Sequence, residues 1–184
     1  VFALDGTLID SREDIAIAVN PTLEHFGYGK LDYETIYRFI GHGATQLLQD
    51  SLNSIGVDLE KTDPGVFENG RAVFIQFYSE HLLDHTRLYD GVESTLAHFR
   101  KKKLAVLSNK PEMLSKMILK GLGAADYFCQ IFGGESLPYK KPDPKALLEA
   151  IKRIGANPAS TAFVGDSTID LETGSGAGVF TCGV

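Results

Sequence analysis

The sequence predicts an α/β protein, a parallel sheet flanked by helices with a helical segment inserted near its start. Two observations carry this expectation. Four short apolar runs, at residues 1–4, 104–107, 129–132 and 161–164, each end in polar residues and alternate with helical patterns. That is the rhythm of strands laid side by side with helices crossing between them. Residues 11–88 break the alternation: they keep helical periodicity throughout and show no convincing strand. The expected division is a core domain of residues 1–10 and 89–184 and an inserted helical domain of residues 11–88.

Within the core, helices are expected over residues 92–102, 112–122, 144–154 and 170–177. Pro111 and Pro144 suit first-turn positions, and Gly123 and Gly155 suit helix ends. Within the insert the expected helices cover residues 13–26, 33–40, 44–55 and 64–83, separated by Gly27-Tyr28-Gly29 and Gly41-His42-Gly43. Ser11, with Asp14 three residues on, approximates a capping box for the first of them. Pro21 falls inside that helix, where it removes a hydrogen bond.

The chain has 184 residues, enough for one domain or a domain with a modest insert. Its net charge of -6 argues against nucleic acid as the main partner, because phosphate backbones are held by a surplus of Lys and Arg. The basic run Arg100 to Lys103 closes an expected helix, where cations oppose the negative end of the helix dipole. No apolar run approaches a bilayer-spanning length and no charged-then-apolar leader opens the chain, so a cytoplasmic location, with no membrane partner, is the default. Cys129 and Cys182 sit in apolar segments and read as buried free thiols of a reducing compartment. Val1-Phe2 stands inside one apolar run and Val184 ends another, so both ends read as cut. Nothing in the sequence bears on oligomeric state.

In open parallel sheets ligands bind beyond the carboxyl ends of the strands. After the first apolar run come Asp5-Gly6-Thr7, after the second Ser108-Asn109-Lys110, and after the fourth Gly165-Asp166-Ser167-Thr168-Ile169-Asp170. Lys141-Pro142-Asp143-Pro144 opens a helix after the third. Carboxylates, a hydroxyl, an amide and an ammonium on one rim suit phosphoryl transfer, which depends on positioning and on neutralising oxygens. Asp166 and Asp170 offer hard oxygen ligands for Mg²⁺, Lys141 a positive charge, and Ser108 a hydrogen bond to a phosphate oxygen. Singly, each has a plainer reading as a turn or a helix cap. Together, after successive strands, they favour an active site.

Phe2-Ala3-Leu4-Asp5-Gly6-Thr7-Leu8-Ile9-Asp10-Ser11 resembles the first motif of the haloacid dehalogenase superfamily, whose core is Asp-x-Asp-Gly-Thr. Leu107-Ser108-Asn109-Lys110 resembles the second motif, Lys141-Pro142-Asp143-Pro144 the third, and Gly165-Asp166-Ser167 with Asp170 the fourth, all in family order. Phe39-Ile40-Gly41-His42-Gly43-Ala44 and His81 to Arg87, followed by Tyr89-Asp90-Gly91-Val92, are similar to cap segments of the phosphoglycolate phosphatases. Pyrophosphatases and sugar-phosphate mutases share the core motifs.

The resemblance implies a Rossmann-like core with an α-helical cap that closes over the cleft, and hydrolysis of a small phosphate monoester such as 2-phosphoglycolate through an aspartyl-phosphate. It implies that Asp5 is general acid and then base, and that Asp5, through its main-chain carbonyl, and Asp166 ligate Mg²⁺. Asp170 supports the metal end, Ser108 and Lys141 hold the phosphoryl group, and Gly6, Thr7 and Asn109 border it. Ala3 stands where the family has its nucleophilic aspartate, and a methyl group can neither attack phosphorus nor ligate a metal. An engineered substitution, a natural loss of the nucleophile and a sequence error all fit Ala3, and the intact remainder favours the first. The rival functions are another capped phosphatase, such as a pyrophosphatase, and a non-catalytic phosphate-binding regulatory protein.

Other candidates read as surface groups. His81 and His85, four apart, could share a helix face as zinc ligands do, but no third ligand matches. Arg38, His42 and Lys30 could meet a substrate carboxylate from the cap.

Overall fold

The computed structural model describes residues 1–58 and 64–184. The chain forms two compact units, Val1–Asp10 with Arg87–Val184, and Ser11–Thr86.

The first unit opens with residues 1–3, which run parallel between two neighbours. Phe2 bridges Val106 on one side and Val164 on the other. Two short strands follow, β1 (Ile9–Asp10) and, after the helical unit, β2 (Arg87–Leu88), paired antiparallel. Then come α5 (Val92–Phe99), β3 (Ala105–Leu107), α6 (Glu112–Gly121), β4 (Gln130–Phe132), α7 (Pro144–Arg153), β5 (Ala162–Gly165), α8 (Thr168–Ala177) and β6 (Phe180–Gly183). β3 pairs parallel with β4, and β5 parallel with β6. The parallel order is therefore β4, β3, residues 1–3, β5, β6, the sheet the apolar rhythm predicts.

The sheet buries Val1, Ala3, Ala105, Leu107, Phe132 and Phe163 together with Ala146, Leu147, Ala150 and Ile151 of α7. Helix α7 has its apolar side chains on one stripe at helical spacing, and Pro144 in the first turn has no N–H to leave unpaired. Asp143 caps it by accepting from the Lys145 N–H at 2.9 Å.

The second unit holds α1 (Arg12–His25), α2 (Tyr33–Tyr37), α3 (Ala44–Ser54) and α4 (Pro64–Glu80). Phe74 and Tyr78 of α4 are buried and stack with ring centroids 5.6 Å apart. The Asn20 side chain both donates to the Leu31 carbonyl and accepts from its N–H, fixing the turn between α1 and α2. Pro21 lies within α1.

Several expectations need correcting. The capping box at Ser11 and Asp14 does not form: Ser11 makes no side-chain cap bond. Asp14 is instead buried and accepts from the His85 N–H, the Thr86 N–H and the Thr86 hydroxyl, so it ties the start of the insert to its end. A box does close α8, between Ser167 and Asp170. Pro111 precedes α6 rather than opening it, with ψ 136°. Cys129 is exposed and Cys182 half-buried, because Cys129 lies just before β4 and Cys182 on β6, the two outer strands of the parallel order. They are free thiols, but not buried ones. His81 and His85 lie beyond the end of α4 and share no helix face. His81 pairs with Asp84 at 2.7 Å and His85 with Glu13 at 3.6 Å. β6 lies outside the expected strands.

Candidate active site

The first chain segment turns sharply after Leu4, where the amides of Thr7, Leu8 and Ile9 all donate to the Leu4 carbonyl. Gly6 makes this turn with φ +78°, a region open to glycine without steric cost. It also lies against the loop after β5: a Cβ on Gly6 would stand 2.2 Å from Asp166 Oδ2. Thr7 donates its hydroxyl proton to Asp166 Oδ1 at 2.7 Å. Both residues that the sequence places beside a phosphate thus lie against Asp166.

Asp166 is exposed at the rim, yet desolvation by the surrounding protein raises its pKa above the ordinary carboxylate value. The Thr7 hydrogen bond opposes the rise, the nearby negative charge of Asp170 adds to it, and Lys141 opposes it more weakly.

Asp170 and Lys141 form a buried pair, Nζ to Oδ1 at 2.6 Å, with side-chain exposures of 3% and 7%. Asp170 Oδ2 accepts from the Ser167 hydroxyl at 2.6 Å. Both carboxylate oxygens are thus engaged, so Asp170 acts as counter-ion to Lys141 and as cap of α8. Oδ1 keeps a second lone pair, so these bonds leave Asp170 able to support a metal.

The Lys141 main chain is held by Asn109, whose side-chain amide donates to its carbonyl and accepts from its N–H, each at 3.0 Å. Asn109 therefore positions Lys141. Ser108 is buried and accepts from the Lys110 N–H at 3.1 Å, a bond that leaves its own O–H proton able to donate.

Lys110, the last residue of the second motif, has no role in the sequence reading. Its ammonium lies 2.9 Å from Asp5 Oδ1, with side-chain exposures of 5% for Lys110 and 18% for Asp5. The only sequence signal was its place at the end of the Ser108-Asn109 rim. Ala3 is 1% exposed and belongs to the apolar core cluster.

Asp5 and Lys110, Asp166 and Thr7, and Asp170 and Lys141 are therefore joined pairwise along the carboxyl ends of the parallel strands. On the helical unit, Arg38 and His42 are exposed, and Lys30 pairs with Glu24 at 3.3 Å.

Among the described residues no three of His, Cys, Asp and Glu group so as to hold a metal ion. Mg²⁺ takes one or two carboxylates and fills its octahedron with water and substrate phosphate. A desolvated Asp166 carboxylate, packed on a glycine that leaves no room for a side chain, fits that demand.

A family model for haloacid dehalogenase-like hydrolases matches residues 1–184, and the chain belongs to that family. It is similar to proteins named phosphoglycolate phosphatase. One from Pseudomonas putida is 38% identical over all of this chain and 68% of its own length. One from Neisseria meningitidis is 38% identical over all of this chain and 78% of its own length. The crystal structure of a predicted phosphoglycolate phosphatase from Haemophilus somnus superposes with a TM-score of 0.91 at 32% identity, covering 99% of this chain and 82% of that one. Among the described residues no helix is long and apolar enough to cross a membrane.

Proposed function

We propose that this site binds a small phosphate monoester, with 2-phosphoglycolate the preferred substrate, and that its parent form hydrolyses it with Mg²⁺ through an aspartyl-phosphate at position 3. The observation that carries the proposal is the buried pairing of Lys141 with Asp170, which fixes an ammonium of the kind phosphoryl oxygens need. Ser108, buried and followed by the Asn109 that clamps the Lys141 main chain, supplies a hydroxyl donor. Names of relatives at 38% identity support the choice of substrate.

Asp5 is the proton donor to the leaving alcohol and then the base for water, a role that requires a carboxylate within hydrogen-bond reach of the departing oxygen. Asp166 and the Asp5 main-chain carbonyl would hold Mg²⁺, which would supply Lewis-acid neutralisation of phosphoryl oxygens when bound. Ala3 removes the attacking oxygen and leaves Ser108, Lys141 and Asp5 in place, so the chain retains phosphate binding while losing turnover. The Ser11–Thr86 unit takes the part of the cap, and the location is cytoplasmic.

Steady-state release of phosphate from 2-phosphoglycolate, pyrophosphate and sugar phosphates, by the chain as it stands and by Ala3→Asp, tests this reading. Ala3→Asp should gain Mg²⁺-dependent turnover, with 2-phosphoglycolate preferred. Equal activity of the two proteins would mean that position 3 is not the nucleophile. An Ala3→Asp protein that is inactive on every ester but still binds phosphate would support the regulatory alternative.

A further inference from the structure

We propose that Lys110 is a positioning residue for the reaction, holding the Asp5 carboxylate at the rim where it must meet the leaving-group oxygen. The proposal rests on the phosphatase reading of this site. A lysine after a strand normally extends its ammonium into water. Lys110 instead keeps a side-chain exposure of only 5% and sets its Nζ 2.9 Å from Asp5 Oδ1.

The main chain beneath Lys110 is fixed on both sides. Its N–H donates to Ser108 Oγ at 3.1 Å, and its carbonyl accepts from the Gly134 N–H at 3.0 Å. A Cβ on Gly134 would stand 2.5 Å from the Asn109 carbonyl oxygen, and one on Gly133 would stand 2.2 Å from the Glu112 nitrogen. The turn after β4 is therefore pressed directly against residues 109–112. Glu135 adds a bond from that turn, accepting the Glu112 N–H at 2.9 Å.

Buried ion pairs contribute little net stability, because desolvating both charges offsets most of their attraction. Stability alone is thus a poor reason for an ammonium here. Fixing a reacting carboxylate is a better one, since small displacements of a catalytic group cost large factors in rate. The two buried lysines divide the work: Lys141, paired with Asp170, serves the phosphoryl oxygens, and Lys110, paired with Asp5, serves the acid.

The test uses Lys110→Met and Lys110→Arg in the Ala3→Asp protein. Lys110→Met should lower kcat by about 100-fold while KM stays within about threefold, the pattern of an interaction that matters only in the transition state. Lys110→Arg should recover part of the loss, because it keeps a cation opposite Asp5. In the chain carrying Ala3, Lys110→Met should leave the Kd for inorganic phosphate within about threefold. An unchanged kcat would overturn the proposal. A phosphate Kd weakened by about tenfold or more would overturn it too, by making Lys110 a phosphate ligand. Should Ala3→Asp itself be inactive, the phosphatase reading fails, and melts of Lys110→Met, Asp5→Asn and the double variant decide the tether alone. Non-additive shifts in Tm sustain it and additive ones overturn it.

Discussion

Removing the Lys141 ammonium should destabilise the core far more than removing both members of its pair. At 2.6 Å the attraction between Lys141 and Asp170 amounts to about 6 kcal/mol at an effective dielectric near 20. Desolvating two groups that are 7% and 3% exposed offsets most of it, so the intact pair contributes little net stability. Lys141→Met keeps much of the side-chain volume, and with it the packing near Phe163, whose ring centre lies 5.9 Å from Nζ. It leaves Asp170 buried with Ser167 as its remaining support. An orphaned buried charge of this kind costs about 3–5 kcal/mol, a large share of a domain stability of about 5–15 kcal/mol. Lys141→Met/Asp170→Asn should recover to within about 1–2 kcal/mol of the parent, since no bare charge remains. Urea denaturation followed by far-UV circular dichroism measures all three proteins. Phosphate binding should be lost in the single and the double variant alike, which separates the stability role from the binding role. A loss under about 1 kcal/mol for the single variant would show that the pair is not formed in the folded protein and would refute the reasoning.

Two further outcomes follow from the Asp166 loop. Gly6→Ala should cost about 1–3 kcal/mol in denaturant unfolding, because φ +78° is strained for alanine and its Cβ would meet Asp166 Oδ2 at 2.2 Å; a neutral effect would show that the first turn and the Asp166 loop are not in contact. Asp166, whose folded pKa is raised, is a carboxylate whose charged form opposes folding above that value, with relief as pH falls through it. Asp166→Asn should therefore have a Tm at neutral pH equal to or above the parent's, with the difference shrinking toward pH 4; a difference that grows on acidification would reverse the assigned sign.

Much of this was readable in the sequence because apolar runs and helix periodicity are local. β3, β4 and β5 fall within a residue or so of the runs that announced them, and α7 starts at its proline. Residues 1–4 join the sheet mainly through Phe2, since the chain already turns back at Leu4 to build the Asp5–Thr7 loop. The β1–β2 ladder was invisible, being two residues long with partners separated by the whole insert. Asp14 was misjudged for a related reason: a Ser and an Asp three apart suggest a local cap, while its real donors, His85 and Thr86, lie some seventy positions on. The same limit hid the division of labour in the site. Motif order brings Asp5, Ser108, Lys141 and Asp166 to one rim, but which carboxylate engages which lysine depends on register and on loop geometry between distant segments. Hence Asn109 emerges as the clamp on Lys141 and Lys110 as the partner of Asp5.

Those pairings bear on what Ala3 does to the charge of the site. Asp5, Asp166 and Asp170 face two ammoniums, Lys110 and Lys141, and both ammoniums are matched to carboxylates. Asp166 carries the unmatched charge, consistent with desolvation and the neighbouring Asp170 both raising its pKa. An aspartate at position 3 would add a fourth carboxylate at a residue only 1% exposed and set among apolar side chains. Such a group needs a cation close by, because an unpaired buried carboxylate is strongly disfavoured. In the proposed mechanism the nucleophile and the metal are therefore coupled: the carboxylate that attacks would also be the one that draws a divalent cation to the site. Alanine removes both demands together. It leaves an apolar contact the core accommodates, and on the proposed reading a site less repulsive to a phosphate dianion that would hold Mg²⁺ more weakly for want of the same charge. Substrate binding and metal binding should accordingly move in opposite directions between the two forms.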